Sequence, residues 1–153
     1  MNTVLDGEKG TYALLLALER EVAIAVGKLG LFTFPSGYYI YVGSARGGLS
    51  QRVKRHLRGE KRLRWHIDYF LRSAEVVELW YTLGEEPLEC LWCCAIRGMP
   101  RGRIPVPGFS SSDCRCSSHL IYFPSPPSFQ LFQKGLGENG SQLKRATPSQ
   151  FLG

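Results

Sequence analysis

The chain has no hydrophobic run near the roughly 18 apolar residues that a membrane-spanning helix needs, so we expect no transmembrane helix and no membrane partner. Residues 1–6 have neither the basic region nor the long apolar core of a secretory signal peptide. Cysteines are few and odd in number, five in 153 residues, and Cys93 and Cys94 are adjacent. This pattern does not suit a secreted disulfide framework. The sequence therefore predicts a cytoplasmic protein with reduced thiols.

Acidic residues are also in short supply. There are 13 Asp and Glu against 19 Lys and Arg, which gives a net charge of +6 and a pI near 9.2. Such a charge favours an anionic partner, nucleic acid before others, with an ordinary basic soluble protein as the alternative. The apolar fraction of 44% and the length are enough for one domain with a real core.

Short β-rich runs, punctuated by Gly and Pro, dominate the first half of the chain and predict consecutive antiparallel strands of one sheet. These runs cover residues 12–18, 22–26, 29–34 and 38–42, and later 76–83 and 120–123. Because side chains alternate along a strand, Tyr39 and Tyr41 should share one face of it. Tyr38, Ile40 and Val42 should share the other.

Three helices are predicted between and after these strands. Leu49, Val53 and Leu57 recur at helical spacing, residues 65–71 form a second short helical segment, and residues 88–96 follow a Glu-Glu-Pro start. Residues 124–153 are rich in Pro, Ser, Gly and Gln without a period, which predicts a flexible tail. The expected fold is α/β (α+β), with a small, mostly antiparallel central sheet flanked by about three helices over residues 1–123.

A basic segment follows the predicted strand at residues 38–42. Such a density of Lys and Arg is typical of a surface that binds phosphates. The alternative is a solvent-exposed helix face, which is what most charge runs are. The Gly-Ser-Ala-Arg-Gly-Gly turn at its start should let backbone N–H groups approach an anion, just before a helix N-terminus. The candidate nucleic-acid contacts are Gly43, Ser44, Arg46, Lys54, Arg55, Arg58, Lys61 and Arg62.

Glu89 is the most informative single residue, because the other side chains from Leu88 to Ile96 are apolar. A carboxylate on such a helix is costly unless it meets a cation, a metal or hydrogen-bond donors. It is therefore either an active-site carboxylate or metal ligand in a cleft, or it is exposed in the first turn or paired with an arginine.

Two further groups of polar residues stand out. Cys114, Cys116 and His119 are zinc-ligand types in a short loop, with His56, His66 or Cys90 as a source of the fourth ligand. The alternative is a hydrogen-bonded turn held by Asp113 and the neighbouring serines. His66 and Asp68, the polar residues of an aromatic helix, either line the site or anchor that helix.

At these residues the sequence resembles the GIY-YIG nuclease superfamily. Gly10-Thr11-Tyr12 stands for the first half-motif and Tyr41-Val42-Gly43 for the second. Arg52 and His56 fall where the superfamily has Arg and His on the following helix, and Glu89 falls where it has a metal-binding glutamate. The likeness, which covers residues 8–123, is greatest to a subfamily that occurs alone or attached to endonuclease III-like DNA repair proteins. An extra hairpin between the half-motifs and the lack of a clear counterpart to a downstream asparagine are departures.

The resemblance implies a metal-dependent endonuclease that acts on DNA in repair or processing, with DNA repair proteins among its partners. Glu89 would hold Mg²⁺ or Mn²⁺, and Arg52 would stabilise charge on the phosphate. Tyr12 or Tyr41 would activate or orient the attacking water, and His56 would share the proton transfer. The alternative is a non-catalytic nucleic-acid-binding module of the same fold.

Overall fold

The computed structural model describes residues 7–110 and 116–152. In these ranges the strands are β1 (Gly10–Leu18), β2 (Val22–Val26), β3 (Gly30–Phe34), β4 (Gly37–Ala45), β5 (Glu75–Leu83), β6 (Leu120–Phe123) and β7 (Lys144–Ala146). The α-helices there are α1 (Leu49–Leu57), α2 (His66–Phe70), α3 (Glu89–Arg97), α4 (Phe129–Gly135) and α5 (Ser149–Leu152). Among the residues described, no helix is both long enough and apolar enough to cross a membrane.

Five strands form one antiparallel sheet in the order β6-β4-β1-β5-β7. With the helices this is an α+β fold, so the predicted fold class is confirmed. One detail differs, because β2 and β3 form a separate two-stranded sheet. Their hairpin buries Ile24, Val26 and Phe34 in the same cluster as Ile67 and Phe70 of α2, so it stabilises that helix rather than extending the main sheet.

Both faces of the main sheet are buried, which explains why β1 is wholly apolar from Ala13 to Leu18. On one face, here called the α1 face, Tyr12 of β1 and Tyr41 of β4 pack with residues of α1 and α2. On the other, the α3 face, Leu15 and Ile40 pack with residues of α3 and α4. The alternation expected for Tyr39 and Tyr41 against Ile40 and Val42 is what the structure has.

The segment expected to be a flexible tail is folded, and that prediction is corrected here. In residues 124–152, α4 packs on the α3 face, while β7 pairs with β5 and extends the sheet. The ring of Phe132 is fully buried, with its centroid 5.4 Å from that of Trp80 and 5.1 Å from that of Trp92. The Ser128 hydroxyl caps α4 by accepting the Leu131 N–H at 3.2 Å. The segment shows no hydrophobic periodicity because each of its short elements buries only one or two side chains.

Candidate active site

A cleft of about 570 Å³ opens where β4 runs beyond the start of β6. Strand β4, helix α1 and the first residue of α3 converge on it. Its lining residues are Tyr41, Gly43, Ser44, Arg46, Arg52, Arg64, Trp65, His66, Glu89, Ser110 and His119. Parts of the chain far apart in sequence, among them those that carry Tyr41, Arg52 and Glu89, therefore meet in one cavity.

The first half-motif lies directly behind the cleft. Tyr12 is fully buried, and its hydroxyl lies 2.6 Å from Nε2 of His56. Burial raises the pKa of the Tyr12 phenol well above its ordinary value, the charge of Tyr41 adds to the rise, and Arg52 offsets it only in part. Burial, reinforced by the charge of Arg52, lowers the pKa of His56 to about 3. At neutral pH the pair is therefore an uncharged phenol beside a neutral imidazole.

Gly43 is required by the close approach of Tyr12. A Cβ atom at position 43 would lie 2.5 Å from the Tyr12 hydroxyl oxygen and 2.7 Å from its ring carbon Cζ. The two residues face each other in the register of β1 and β4. The glycine of the second half-motif therefore makes room for the tyrosine of the first.

Tyr41 is the tyrosine that lines the cleft. Burial raises its pKa to about 12, although the neighbouring Ser110 and Arg52 oppose the rise. The phenol therefore keeps its proton at neutral pH in the free protein, and this proton is available for a hydrogen bond.

Arg52 is held in the cleft by two contacts. Its Nη1 donates a hydrogen bond to the Ser44 carbonyl oxygen at 2.9 Å, and its guanidinium lies 4.5 Å from the centre of the Trp65 ring. The Trp65 ring faces two more guanidiniums, those of Arg55 and Arg64, at 4.2 and 5.6 Å. A stacked, hydrogen-bonded arginine is pre-oriented to meet an anionic oxygen.

Glu89, the first residue of α3, lines the same cleft. Among the described residues it pairs with His119, whose Nδ1 lies 3.9 Å from Oε2 of Glu89. Burial lowers the pKa of His119, opposed by the charge of Glu89, so the imidazole is neutral at pH 7. In the part of the chain that the structure describes, no salt bridge joins Glu89 to an arginine, so that alternative is not observed there.

Part of the predicted basic surface has another role. Arg55 donates two hydrogen bonds to the carboxylate of Asp68, at 2.8 and 2.9 Å. Burial would raise the pKa of Asp68, but these bonds and those from the N–H groups of Arg64 and Trp65 lower it. Asp68 therefore anchors α2, and the Arg55 head group is already engaged by a carboxylate.

Four more of the predicted phosphate contacts lie outside the cleft. Lys61 donates to the His56 carbonyl oxygen at 2.9 Å, while the remaining three side chains, those of Lys54, Arg58 and Arg62, are exposed. The first N–H of α1 does not point at an open anion site, because the Leu49 N–H bonds the Glu8 carbonyl oxygen at 2.6 Å. Only Gly43, Ser44 and Arg46 of that predicted set line the cleft.

Four residues of the lining are not among the predicted catalytic or nucleic-acid contacts: Arg64, Trp65, His66 and Ser110. Of the two roles that the sequence allows for His66, the structure shows that it lines the cleft. Its Nδ1 accepts a hydrogen bond from the Ser110 N–H at 2.8 Å, and burial lowers its pKa. A neutral His66 therefore carries its proton on Nε2. The basic-aromatic run Arg64-Trp65-His66 was a usable signal.

The cluster of possible zinc ligands in the structure differs from the predicted one by one residue. Cys116 and His119 meet Cys93 of α3, and the three ligand atoms lie within 4.8 Å of one another. Cys114 lies outside the described residues. The sequence does contain a signal for Cys93, because Cys90-Leu91-Trp92-Cys93 is a Cys-x-x-Cys pair of the kind that binds metals.

Comparison with known proteins gives one match. Residues 11–138 match the family described as "Domain of unknown function DUF123", and the chain belongs to that family. The match runs past Phe123 into the segment that the structure shows folded on the sheet. No curated protein and no solved structure matches the chain.

Proposed function

We propose that the chain is a metal-dependent endonuclease of the GIY-YIG type that hydrolyses phosphodiester bonds of DNA, in repair or processing. The observation that carries the proposal is the convergence of Tyr41, Arg52 and Glu89 on one cleft, with Tyr12 directly behind. Hydrolysis of a phosphodiester needs a nucleophilic water, stabilisation of charge on phosphate and a proton for the leaving oxygen. Each need has a candidate in the cleft.

The donor set fits a divalent metal. Glu89 offers carboxylate oxygens to the cleft and has no arginine partner among the described residues. Mg²⁺ is commonly held by one or two carboxylates together with substrate phosphate and water, so a single glutamate suffices. Bound Mg²⁺ or Mn²⁺ would supply Lewis-acid stabilisation of the phosphate and a more acidic bound water.

The remaining roles fall to this chain's own side chains. Arg52, pre-oriented by Ser44 and Trp65, stabilises the negative charge that develops on the phosphate oxygens. Tyr41 donates its phenolic proton in a hydrogen bond that orients the attacking water or a phosphate oxygen. His66, with its proton on Nε2, is placed in the lining to donate to an oxygen of the substrate. Tyr12 and His56 hold the shape of the wall behind Gly43.

A second candidate is a binding module of the same fold that does not cleave DNA. Tyr12 favours it, because this phenol is buried against His56 and is absent from the cleft lining. The exposed Arg46 and Arg64 at the cleft would then supply phosphate contacts alone. Such a module predicts salt-dependent DNA binding and no strand breaks.

The test is nicking of supercoiled plasmid with Mg²⁺, with Mn²⁺ and with EDTA. We expect metal-dependent nicking by the wild type and a loss of about 10²-fold or more in Glu89→Gln, which keeps the shape of the side chain and removes its charge. Glu86→Gln, an exposed change on the loop before α3, is the matched control and should nick like the wild type.

Two outcomes would contradict the proposal. Absence of metal-dependent nicking by the wild type, together with DNA binding in fluorescence anisotropy, would favour the binding module. Equal nicking by the wild type and Glu89→Gln would remove Glu89 from the mechanism.

A further inference from the structure

We propose that Cys90, Cys93, Cys116 and His119 form a structural zinc site on the α3 side of the sheet, separate from the candidate active-site metal. Three of these residues converge, because the thiol sulfurs of Cys93 and Cys116 and a ring nitrogen of His119 lie within 4.8 Å of one another. The fourth is Cys90, whose Sγ lies 2.9 Å from Sγ of Cys116. Three thiols and one imidazole are a common donor set for structural zinc.

The spacings suit a tetrahedral ion. Zinc–sulfur bonds of about 2.3 Å and zinc–nitrogen bonds of about 2.0 Å place neighbouring ligands about 3.5–3.8 Å apart. The Cys90–Cys116 sulfur distance of 2.9 Å is shorter than that range, and the other three ligand atoms lie within 4.8 Å of one another, so small side-chain rotations would complete the tetrahedron. Cys90 and Cys93 are three apart on α3 and therefore share a face of the helix. On binding, the three thiols would release their protons to solvent.

The surroundings of His119 also match those of a metal-bound imidazole. Its Nδ1 lies 3.1 Å from the Val42 carbonyl oxygen and 3.9 Å from the Glu89 carboxylate. A histidine that binds zinc through one nitrogen commonly donates the N–H of the other to a carbonyl or a carboxylate. Val42 and Glu89 can accept in this way and leave Nε2 for the ion.

The site would join the two sides of the cleft. Cys90 and Cys93 lie on α3, one and four residues after Glu89, while Cys116 and His119 lie four residues and one residue before β6, which pairs with β4. An ion bound by both segments fixes the start of α3 against the strand that carries Tyr41. The zinc would therefore hold Glu89 in position without contacting the substrate.

The test is the metal content of purified protein, measured by mass spectrometry of the elements in the absence of DNA. We expect about one zinc per wild-type chain, and less than a tenth of that in Cys93→Ser and in Cys116→Ser. Cys94→Ser, a change at an exposed neighbour on the same helix, is the matched control and should keep its zinc. Glu89→Gln should keep its zinc as well, which separates this site from the proposed catalytic metal.

A second measurement does not depend on the variants folding. Replacement of zinc by Co²⁺ in the wild type should give the visible bands of a tetrahedral ion together with thiolate-to-cobalt charge-transfer absorption. Wild-type protein that neither contains nor binds zinc, an octahedral cobalt spectrum, or equal zinc loss in Cys94→Ser would each overturn the proposal. So would an intact Cys90–Cys116 disulfide in metal-free native protein.

Discussion

The two faces of the five-stranded sheet are buried to a similar degree by different chemistry. The α3 face is filled mainly by apolar side chains such as Leu15, Ile40 and Trp80. The α1 face buries a phenol against an imidazole, Tyr12 with His56. Buried polar groups lose their hydration and gain only a modest net free energy from their hydrogen bonds. The contrast indicates that the α3 face serves mainly as core, while the α1 face combines a large apolar core with buried polar side chains beside the candidate site.

The difference should appear first in a core substitution on the α3 face. Phe132→Ala removes a fully buried ring between Trp80 and Trp92, so we expect the free energy of unfolding to fall by about 3–5 kcal/mol. Urea denaturation measures this loss, and Leu131→Ala, at an exposed position of the same helix, should change stability by less than about 0.5 kcal/mol. An equally small loss in Phe132→Ala would mean that residues 124–152 are not part of the core.

A substitution of Arg52, on the α1 face, should instead lower activity and leave stability nearly unchanged. Arg52→Lys keeps the charge but loses the planar stack on Trp65 and the fixed geometry of the guanidinium. We expect single-turnover nicking to fall by about 10²–10³-fold, with stability nearly unchanged. Arg20→Lys, at an exposed position in the loop after β1, provides the control. A nicking rate in Arg52→Lys like that of the control would contradict this role.

Arg55 lies on the same helix as Arg52 and contacts the same Trp65 ring, but its guanidinium pairs with Asp68. Its substitution should therefore affect stability. Arg55→Ala leaves a buried carboxylate without its guanidinium, although Asp68 keeps two backbone donors. We expect a loss of about 2 kcal/mol in unfolding free energy, between the values for exposed and fully buried pairs. Arg58→Ala, an exposed change at the end of α1, should have almost no effect on stability.

A different kind of effect is a change in the pH dependence of stability. The folded pKa of His56, about 3, lies below its unfolded value of about 6.5, so the unfolded state binds more protons between these pH values. Stability contributed by neutral His56 is therefore present above pH 6.5 and is lost as the pH falls towards 3. His56→Gln should make that decline shallower in urea titrations at successive pH values, and an unchanged slope would contradict the buried neutral state.

Four of the five main-sheet strands, β1, β4, β5 and β6, and the first three helices could be predicted because their signals are local. Alternation along β4 gave the faces of Tyr39 and Tyr41, and the spacing of Leu49, Val53 and Leu57 gave the buried side of α1. The folded segment after Phe123 could not be found in this way. Phe129 and Phe132 become core only because Trp80 and Trp92 lie opposite them, which is a tertiary contact with no local period.

The candidate site likewise contains residues that could be predicted from the sequence and others that could not. Tyr41, Arg52 and Glu89 could be selected by residue type and order, and they line one cleft. The pairing of Arg55 with Asp68 could not be predicted from the sequence, because charge alone does not indicate that Asp68 lies within hydrogen-bond distance on another helix. Cys93 was missed for a different reason, since its pairing with Cys90 at helical spacing was present and was not used.

The contact between Gly43 and the Tyr12 phenol has a consequence for how this sequence can vary. The two positions are far apart in the chain, yet the volume of one side chain occupies the space that the other would need. A larger residue at position 43 is tolerated only with a smaller one at position 12. Among related sequences the two positions should therefore change together or not at all. A library at position 43 alone should recover folded protein only with glycine there, whereas a library at positions 12 and 43 together should also recover folded variants with a larger residue at position 43 and a smaller one at position 12.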